Sequence, residues 1–227
     1  MNYFKSLLPM GIFALGVFTA GPANASLVTY STNGVFDCNG IAGCVLGANT
    51  ATINGFVVTY VNQGSTTVNA NPIVSANYGE IRVSGPNGGS VNLTNLLLTI
   101  TLVQGSPANA GPNQSWKGIT NGTVSVVNGN SSGFATICFI ANACPNAIES
   151  IVYNSVGGGT TTYKIQTPPN TNPPPANGYT IRATQDASNF DPTSFQGSIQ
   201  MADAPEASTY LMMFSGLCGL GLLRRRS

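Results

Sequence analysis

The chain has 227 residues, of which only 7% are charged, against about 25% in a typical soluble domain. Uncharged polar residues take their place, because Asn, Thr and Ser together supply 68 residues, or 30%. The chain contains no histidine, which excludes Ser-His-Asp and Cys-His nucleophile systems, His-ligated zinc and His-based pH switches. The formal net charge of +1 gives no basic excess, so we expect no nucleic-acid partner.

The N-terminal residues are organised like a secretory signal peptide. Lys5 supplies a short positive region, residues 7–20 are mostly apolar, and Ala23 and Ala25 form the small-x-small pattern of a cleavage site. These features predict a signal peptide over residues 1–25, with cleavage after Ala25. The alternative is an uncleaved anchor helix, for which the apolar stretch is short and interrupted by glycine.

The body of the chain, residues 26–202, alternates apolar and polar residues with period two between Gly, Asn and Pro turn signals, which predicts half-buried strands. In chain order the predicted strands are 26–31, 52–61, 80–84, 91–103, 118–120, 123–127, 134–140, 148–153, 161–167, 178–184 and 195–201. Asn121-Gly122 favours a type I′ hairpin turn, and Asn128-Gly129 ends the next strand in the same way. Together these signals predict an all-β fold, a single antiparallel β-sandwich or jelly-roll-like domain.

Two predicted strands show the alternation most clearly. In strand 91–103 the inward residues are Leu96, Leu98, Ile100 and Leu102, and the outward residues are Thr99 and Thr101. In strand 178–184 the inward residues are Tyr179, Ile181 and Ala183, and the outward residues are Thr180, Arg182 and Thr184. The outward threonine rows would suit an ice-binding face, but alternation with a buried face is enough to produce them.

Four of the five cysteines form two C-x5-C pairs, Cys38 with Cys44 and Cys138 with Cys144. In an exported domain they predict two disulfides, for which three connectivities are open. Local pairing is the simplest, because glycine and proline favour tight turns in these loops; pairing between the two loops is the alternative. A four-cysteine metal site fits poorly, because zinc sites space their cysteines by two to four residues. We therefore expect no metal and no cofactor.

The C-terminus combines an apolar stretch with a basic end. Residues 209–223 carry no charge, and Arg224, Arg225 and Arg226 follow directly. At about 1.5 Å per residue, a helix over this stretch is about 22 Å long, short of the ~30 Å hydrocarbon core. The arginines stay cytoplasmic by the positive-inside rule, which leaves everything upstream outside. The pattern predicts a short transmembrane helix that anchors the exported body.

Pro205, Glu206 and Ala207 stand just before this helix. A short Pro-Glu motif, a marginal helix and a terminal arginine cluster together resemble the PEP-CTERM sorting signal of Gram-negative bacteria, over residues 203–227 only. The family usually has proline where this chain has Ala207. The resemblance implies recognition by an exosortase, a membrane-embedded cysteine transpeptidase that removes the tail during export towards the cell surface or extracellular matrix.

This family's tail, sometimes named an ice-binding protein C-terminal domain, follows many unrelated passengers. The resemblance therefore implies localisation and transfers no activity to residues 26–202. The alternative interpretation of residues 203–227 is an ordinary tail anchor that happens to contain Pro-Glu.

Without histidine, paired carboxylates are the remaining catalytic resource. Asp186 and Asp191 lie five residues apart in a predicted loop, and Glu80 and Glu149 stand alone in predicted strands, so we interpret them as solvated residues. The Asp186–Asp191 loop would offer calcium oxygen ligands but lacks the EF-hand pattern. Trp116 is a candidate either for stacking on a sugar ring or for anchoring a loop.

We therefore expect a non-catalytic, exported structural protein that associates with the extracellular matrix and its exopolysaccharide. Its expected partners are an exosortase-type enzyme, exopolysaccharide and, before processing, the membrane. The alternatives are a carboxylate-dependent glycan hydrolase and a carbohydrate- or ice-binding module. Two acids of the body within about 5–10 Å across a groove would favour the hydrolase.

Overall fold

The computed structural model describes residues 27–70, 73–139, 149–156, 158–165, 178–185 and 192–202. These residues contain sixteen strands and no helix, which confirms the prediction of an all-β body. In chain order the strands are β1 (Leu27–Asp37), β2 (Cys44–Leu46), β3 (Thr50–Ile53), β4 (Phe56–Val61), β5 (Thr66–Asn69), β6 (Val74–Ser84), β7 (Ser90–Asn92), β8 (Leu97–Ser106), β9 (Gln114–Val127), β10 (Asn130–Ser131), β11 (Ala135–Cys138), β12 (Glu149–Asn154), β13 (Thr160–Ile165), β14 (Tyr179–Ile181), β15 (Ala183–Thr184) and β16 (Thr193–Ala202).

The strands form two eight-stranded sheets, which we call the first and the second sheet. The first sheet has the order β14-β11-β9-β8-β1-β5, and β7 and β10 also pair with β9. The second sheet has the order β12-β13-β16-β6-β4-β3-β2, and β15 also pairs with β6. Among the described strands only the β15–β6 pairing is parallel. The inner faces of both sheets contribute to one continuous hydrophobic core.

Strand β8 has the inward and outward faces that its alternation predicts. Leu98, Ile100 and Leu102 are completely buried in the core, whereas Thr99 and Thr101 are half-buried on the outer face. Burying a side chain as large as leucine or isoleucine stabilises a fold by about 1.5–3 kcal/mol. A register shift of one residue would expose all three side chains to water, so their burial fixes the register of β8.

The predicted hairpin turn at Asn121-Gly122 is wrong. Strand β9 runs without a break through both residues, because its neighbours hold it extended. Strands β8 and β7 pair with successive parts of β9, and β11 pairs with it as well, with Ala135 opposite Gly122. Gly122 takes a positive φ of 117° within the strand. Pairing with three strands therefore overrides the local turn preference.

Two other Asn-Gly pairs do form tight hairpin turns. Asn128-Gly129 joins β9 to β10 as predicted, with φ of 53° and 78°. Asn54-Gly55 joins β3 to β4 with φ of 49° and 82°, so the predicted single strand over residues 52–61 is a hairpin. Positive φ at both central residues is the requirement of a type I′ turn.

The predicted strands 91–103 and 178–184 are each divided in two. Asn95, at φ 74°, lies in the turn between β7 and β8. In the second case β14 belongs to the first sheet and β15 to the second, so the chain crosses between the sheets at Arg182. Because of this crossing, Thr184 is buried rather than pointing outward as predicted.

Tyrosine hydroxyl groups tie the two sheets together inside the core. All six tyrosines among the described residues are buried, and four of them donate a hydrogen bond from one sheet to the other. These bonds join Tyr30 to Asn77 O at 2.9 Å, Tyr153 to Leu102 O at 2.6 Å, Tyr163 to Gln104 Oε1 at 2.9 Å and Tyr179 to Gln196 O at 2.8 Å. Burial raises the pKa of all four phenols above the usual value, because a low-dielectric surrounding disfavours the phenolate.

Candidate functional site

The residues predicted to direct export and sorting lie outside the described residues. They are Ala23, Ala25, Pro205, Glu206, Ala207, Arg224, Arg225 and Arg226, together with the predicted helix over 209–223. Nowhere in the described part of the chain is there a helix with the length and apolarity to cross a membrane. The signal peptide, the sorting motif and the tail helix therefore stay predictions.

Cys38 and Cys44 form a disulfide, which confirms the predicted local pairing of the first two cysteines. The loop that it closes turns tightly, since the N–H of Ile41 donates to Cys38 O at 2.9 Å. The Cys38–Cys44 disulfide excludes a pairing of Cys38 with Cys144. Cys138 is also disulfide-bonded. Because Cys144 lies outside the described residues, the Cys138–Cys144 pairing stays a prediction.

Trp116 is neither a loop anchor nor a sugar-stacking residue. It points inward from β9, is completely buried, and its ring centroid lies 4.8 Å from that of Tyr78 on the opposite sheet. The inward alternation continues along β9 through Gly118 and Thr120, a signal that becomes visible only when β9 is treated as one strand. Because the described tyrosines are buried too, the described surface presents no Trp or Tyr ring to a ligand.

The carboxylates of Glu80 and Asp37 belong to different sheets. Glu80, on the outer face of the second sheet, forms an ion pair with Arg82 two residues along β6. Asp37 lies on the outer face of the first sheet, where its Oδ1 accepts the backbone N–H two residues later at 2.9 Å. Asp186 and Asp191 are outside the described residues. Within the described ranges, no group of three or more Cys, Asp or Glu residues could hold a metal ion.

The outward threonines do not form one array. Thr99 and Thr101 lie side by side on the outer face of β8, but Thr180 and Thr184 belong to different sheets. The cross-strand neighbours are Val35 and Lys117 for Thr99, and Asn33 and Ser115 for Thr101. A charged residue and several residue types therefore interrupt the threonine rows on the first sheet.

An open cleft of about 470 Å³ lies where loops meet at one end of the two sheets. We call it the end cleft, and its lining residues are Gly55, Ser84, Gly85, Pro86 and Gln185. Gly55 belongs to the β3–β4 turn, Ser84 ends β6, and Gln185 follows β15. Three segments that are remote in the sequence therefore meet here, and no sequence pattern connects them.

Hydrogen bonds hold the loops around the end cleft in place. They run from Gly85 N to Thr184 O at 3.0 Å, from Gln185 N to Gly129 O at 3.4 Å, and from Gly129 N to Asn87 Oδ1 at 3.2 Å. Beneath the cleft, the buried ring of Phe56 packs so closely on Gly85 that a Cβ there would overlap it. Hydrogen bonds and the packing of Phe56 therefore fix the loops that line the cleft.

Comparison with protein-family models, with curated proteins and with solved structures gives no match to this chain. The features of this chain that bear on function are its sequence motifs, the surfaces of its two sheets and the end cleft.

Proposed function

We propose that the protein is an exported, non-catalytic structural protein of the extracellular matrix, built as an antiparallel β-sandwich between a signal peptide and a PEP-CTERM-like sorting tail. The observation that carries the proposal is the Cys38–Cys44 disulfide. Disulfides form and persist in oxidising compartments outside the cytosol. This supports the export that residues 1–25 and 203–227 predict.

The surface of the second sheet supports association with exopolysaccharide. Its outer face carries many hydroxyl and amide side chains beside the charged residues Glu80, Arg82 and Lys164. Among the uncharged ones are Ser75, Ser150, Thr162, Gln196, Ser198 and Gln200. Hydroxyl and amide groups both donate and accept hydrogen bonds. They therefore match the hydroxyl groups of a polysaccharide without requiring charge on either partner.

The C-terminal tail, residues 203–227, supports the sorting step of the proposal. An exosortase-type enzyme recognises Pro205-Glu206-Ala207 while the helix over 209–223 and its terminal arginines hold the protein at the membrane. Removal of the tail then releases the body to the cell surface or matrix.

Fractionation of the native host tests the proposal. An antibody against the body should detect the protein in the washed matrix fraction of wild-type cells, and in the membrane fraction of cells that lack the exosortase. A periplasmic protein without such a tail serves as the control and should fractionate identically in both strains. A protein that stays in the cytosol, or that never reaches the matrix in wild-type cells, would contradict the proposal.

A further inference from the structure

We propose that the end cleft binds a neutral sugar unit of the matrix polysaccharide. This inference rests on the proposed function, because it names the ligand through which the exported body would contact the matrix. It assigns that contact to one defined site, in addition to the broad hydroxyl-bearing face of the second sheet.

The end cleft is wide and open rather than enclosed, so it can contact one face of a ring-shaped ligand without surrounding it. Its volume of about 470 Å³ lies within the range of small-molecule sites, about 300–1,000 Å³. Gly55 has no side chain, so the wall that it forms is bare. The nearest atoms to a Cβ built there are Pro86 carbons, at 4.0 Å. The positive φ of Gly55, 82°, favours glycine at this position. The turn therefore leaves the cleft open to a ring.

The chemistry of the end cleft selects an uncharged, hydroxylated ligand. The Gln185 amide carries both donors and an acceptor, and the Ser84 hydroxyl group does the same, so together they can pair with adjacent sugar hydroxyls. The Pro86 ring adds an apolar surface for the C–H face of a sugar. A carboxylate, sulfate or phosphate group would find no cation among the lining residues, although charge-assisted bonds are the strong ones for such groups.

The end cleft is held in shape before any ligand binds. Gly85 and Gln185 are each fixed through their backbone N–H groups, and the Phe56 ring supports the floor. The Gln185 side chain also lies against the Asn128-Gly129 turn, because a Cβ on Gly129 would lie 3.3 Å from Gln185 Oε1. Groups that are already ordered lose less conformational entropy on binding, which favours affinity.

The experiment uses the exported protein purified from its host and, as probes, the neutral and acidic polysaccharide fractions of that host's own matrix. Each fraction is immobilised, and the dissociation constant is measured for the wild type and for Gln185→Ala and Ser84→Ala. The matched control is Asn33→Ala, which removes an exposed amide from the outer face of the first sheet, outside both the end cleft and the second sheet. Thermal unfolding of every variant establishes that it is folded.

We expect the wild type to bind the neutral fraction saturably. Gln185→Ala and Ser84→Ala should each raise the dissociation constant about fivefold, the effect of one lost hydrogen bond, and Asn33→Ala should leave it unchanged. Unchanged binding by folded Gln185→Ala and Ser84→Ala overturns the inference. So does preference for the acidic fraction, or absence of saturable binding to both fractions.

Failure of the inference is distinguishable from failure of the proposed function. The Gln185→Ala protein is fractionated from host cells beside the wild type. If binding measurements overturn the end cleft while the wild type is found in the matrix, only the inference fails. If the wild type is absent from the matrix, the proposed function fails whatever the dissociation constants are.

Discussion

Tyr163 on β13 and Gln104 on β8 form a hydrogen bond that crosses the core from the second sheet to the first. The Tyr163 hydroxyl donates to Gln104 Oε1 at 2.9 Å, and Gln104 Nε2 donates in turn to Pro107 O at 2.6 Å. Both side chains are buried, so water does not readily replace either partner. One tyrosine therefore links both sheets and the loop that follows β8.

Tyr163→Phe should lower the free energy of unfolding by about 1–2 kcal/mol, because it leaves the buried Gln104 Oε1 without a donor. Urea unfolding followed by circular dichroism measures the change. Thr162→Val, on the outer face of the same strand, is the control and should stay within about 0.5 kcal/mol of the wild type. Equal effects of the two substitutions would show that the cross-sheet bond is not a significant source of stability.

Alkaline pH should destabilise the protein. Burial raises the pKa of Tyr60, Tyr78, Tyr163 and Tyr179 well above the usual value of about 10. Above pH 10 the unfolded chain loses phenolic protons that the folded protein keeps, so the free energy of unfolding falls as pH rises from there. Below about pH 10 both states are protonated, and this contribution stays constant.

Urea midpoints measured between about pH 8 and about pH 11 test this expectation. The fall above pH 10 should be smaller in Tyr163→Phe than in the wild type, because one buried phenol has been removed. A midpoint that does not change across this range would contradict the linkage between tyrosine burial and stability.

Both predicted disulfides can be tested directly. Replacing Cys38 and Cys44 together by Ser should cost about 2 kcal/mol, since the bond closes a loop of about seven residues. Non-reducing peptide mapping should recover one short looped peptide with Cys38–Cys44 and a second with Cys138–Cys144. A peptide that joins Cys138 to any other cysteine would disprove the second pairing.

Gly34→Ala should destabilise the folded protein strongly, although it adds only one methyl group. A Cβ on Gly34 would overlap the ring of Tyr60, whose hydroxyl group is held by Thr32 Oγ1 at 2.9 Å and by Tyr78 O. Overpacking of this kind costs about 1–3 kcal/mol. Gly64→Ala is the matched control, because nothing lies within 4 Å of its Cβ position. Similar urea midpoints for the two variants would contradict the packing that we describe at Gly34.

The body's all-β character and the inward face of β8 were predictable because side-chain alternation is a local property. The extended course of β9 was not, since Asn121-Gly122 carries a strong local turn signal and only pairing with β7, β8 and β11 overrides it. The same error concealed Trp116, whose inward position follows from a continuous β9. The crossing between sheets at Arg182 depends on strand partners that no local pattern specifies.

The end cleft was missed for a related reason. Gly55, Ser84 and Gln185 come from three remote segments, and none of them belongs to a residue type that marks catalysis or metal binding. Only the antiparallel pairing of β4 with β6 and the parallel pairing of β15 with β6 bring them together. By contrast, the Cys38–Cys44 bond was predictable, because both partners lie in one short loop.

Intact mass of the protein recovered from the matrix tests the central claim, export followed by removal of the tail, most directly. The account predicts a product that begins at Ser26, ends near Pro205-Glu206-Ala207 and lacks Arg224–Arg226. Glu206→Gln keeps the shape of the side chain but removes its charge, so unprocessed, membrane-retained protein should accumulate. A mature wild-type protein that still ends at Ser227 would contradict the account and indicate an ordinary tail-anchored β domain.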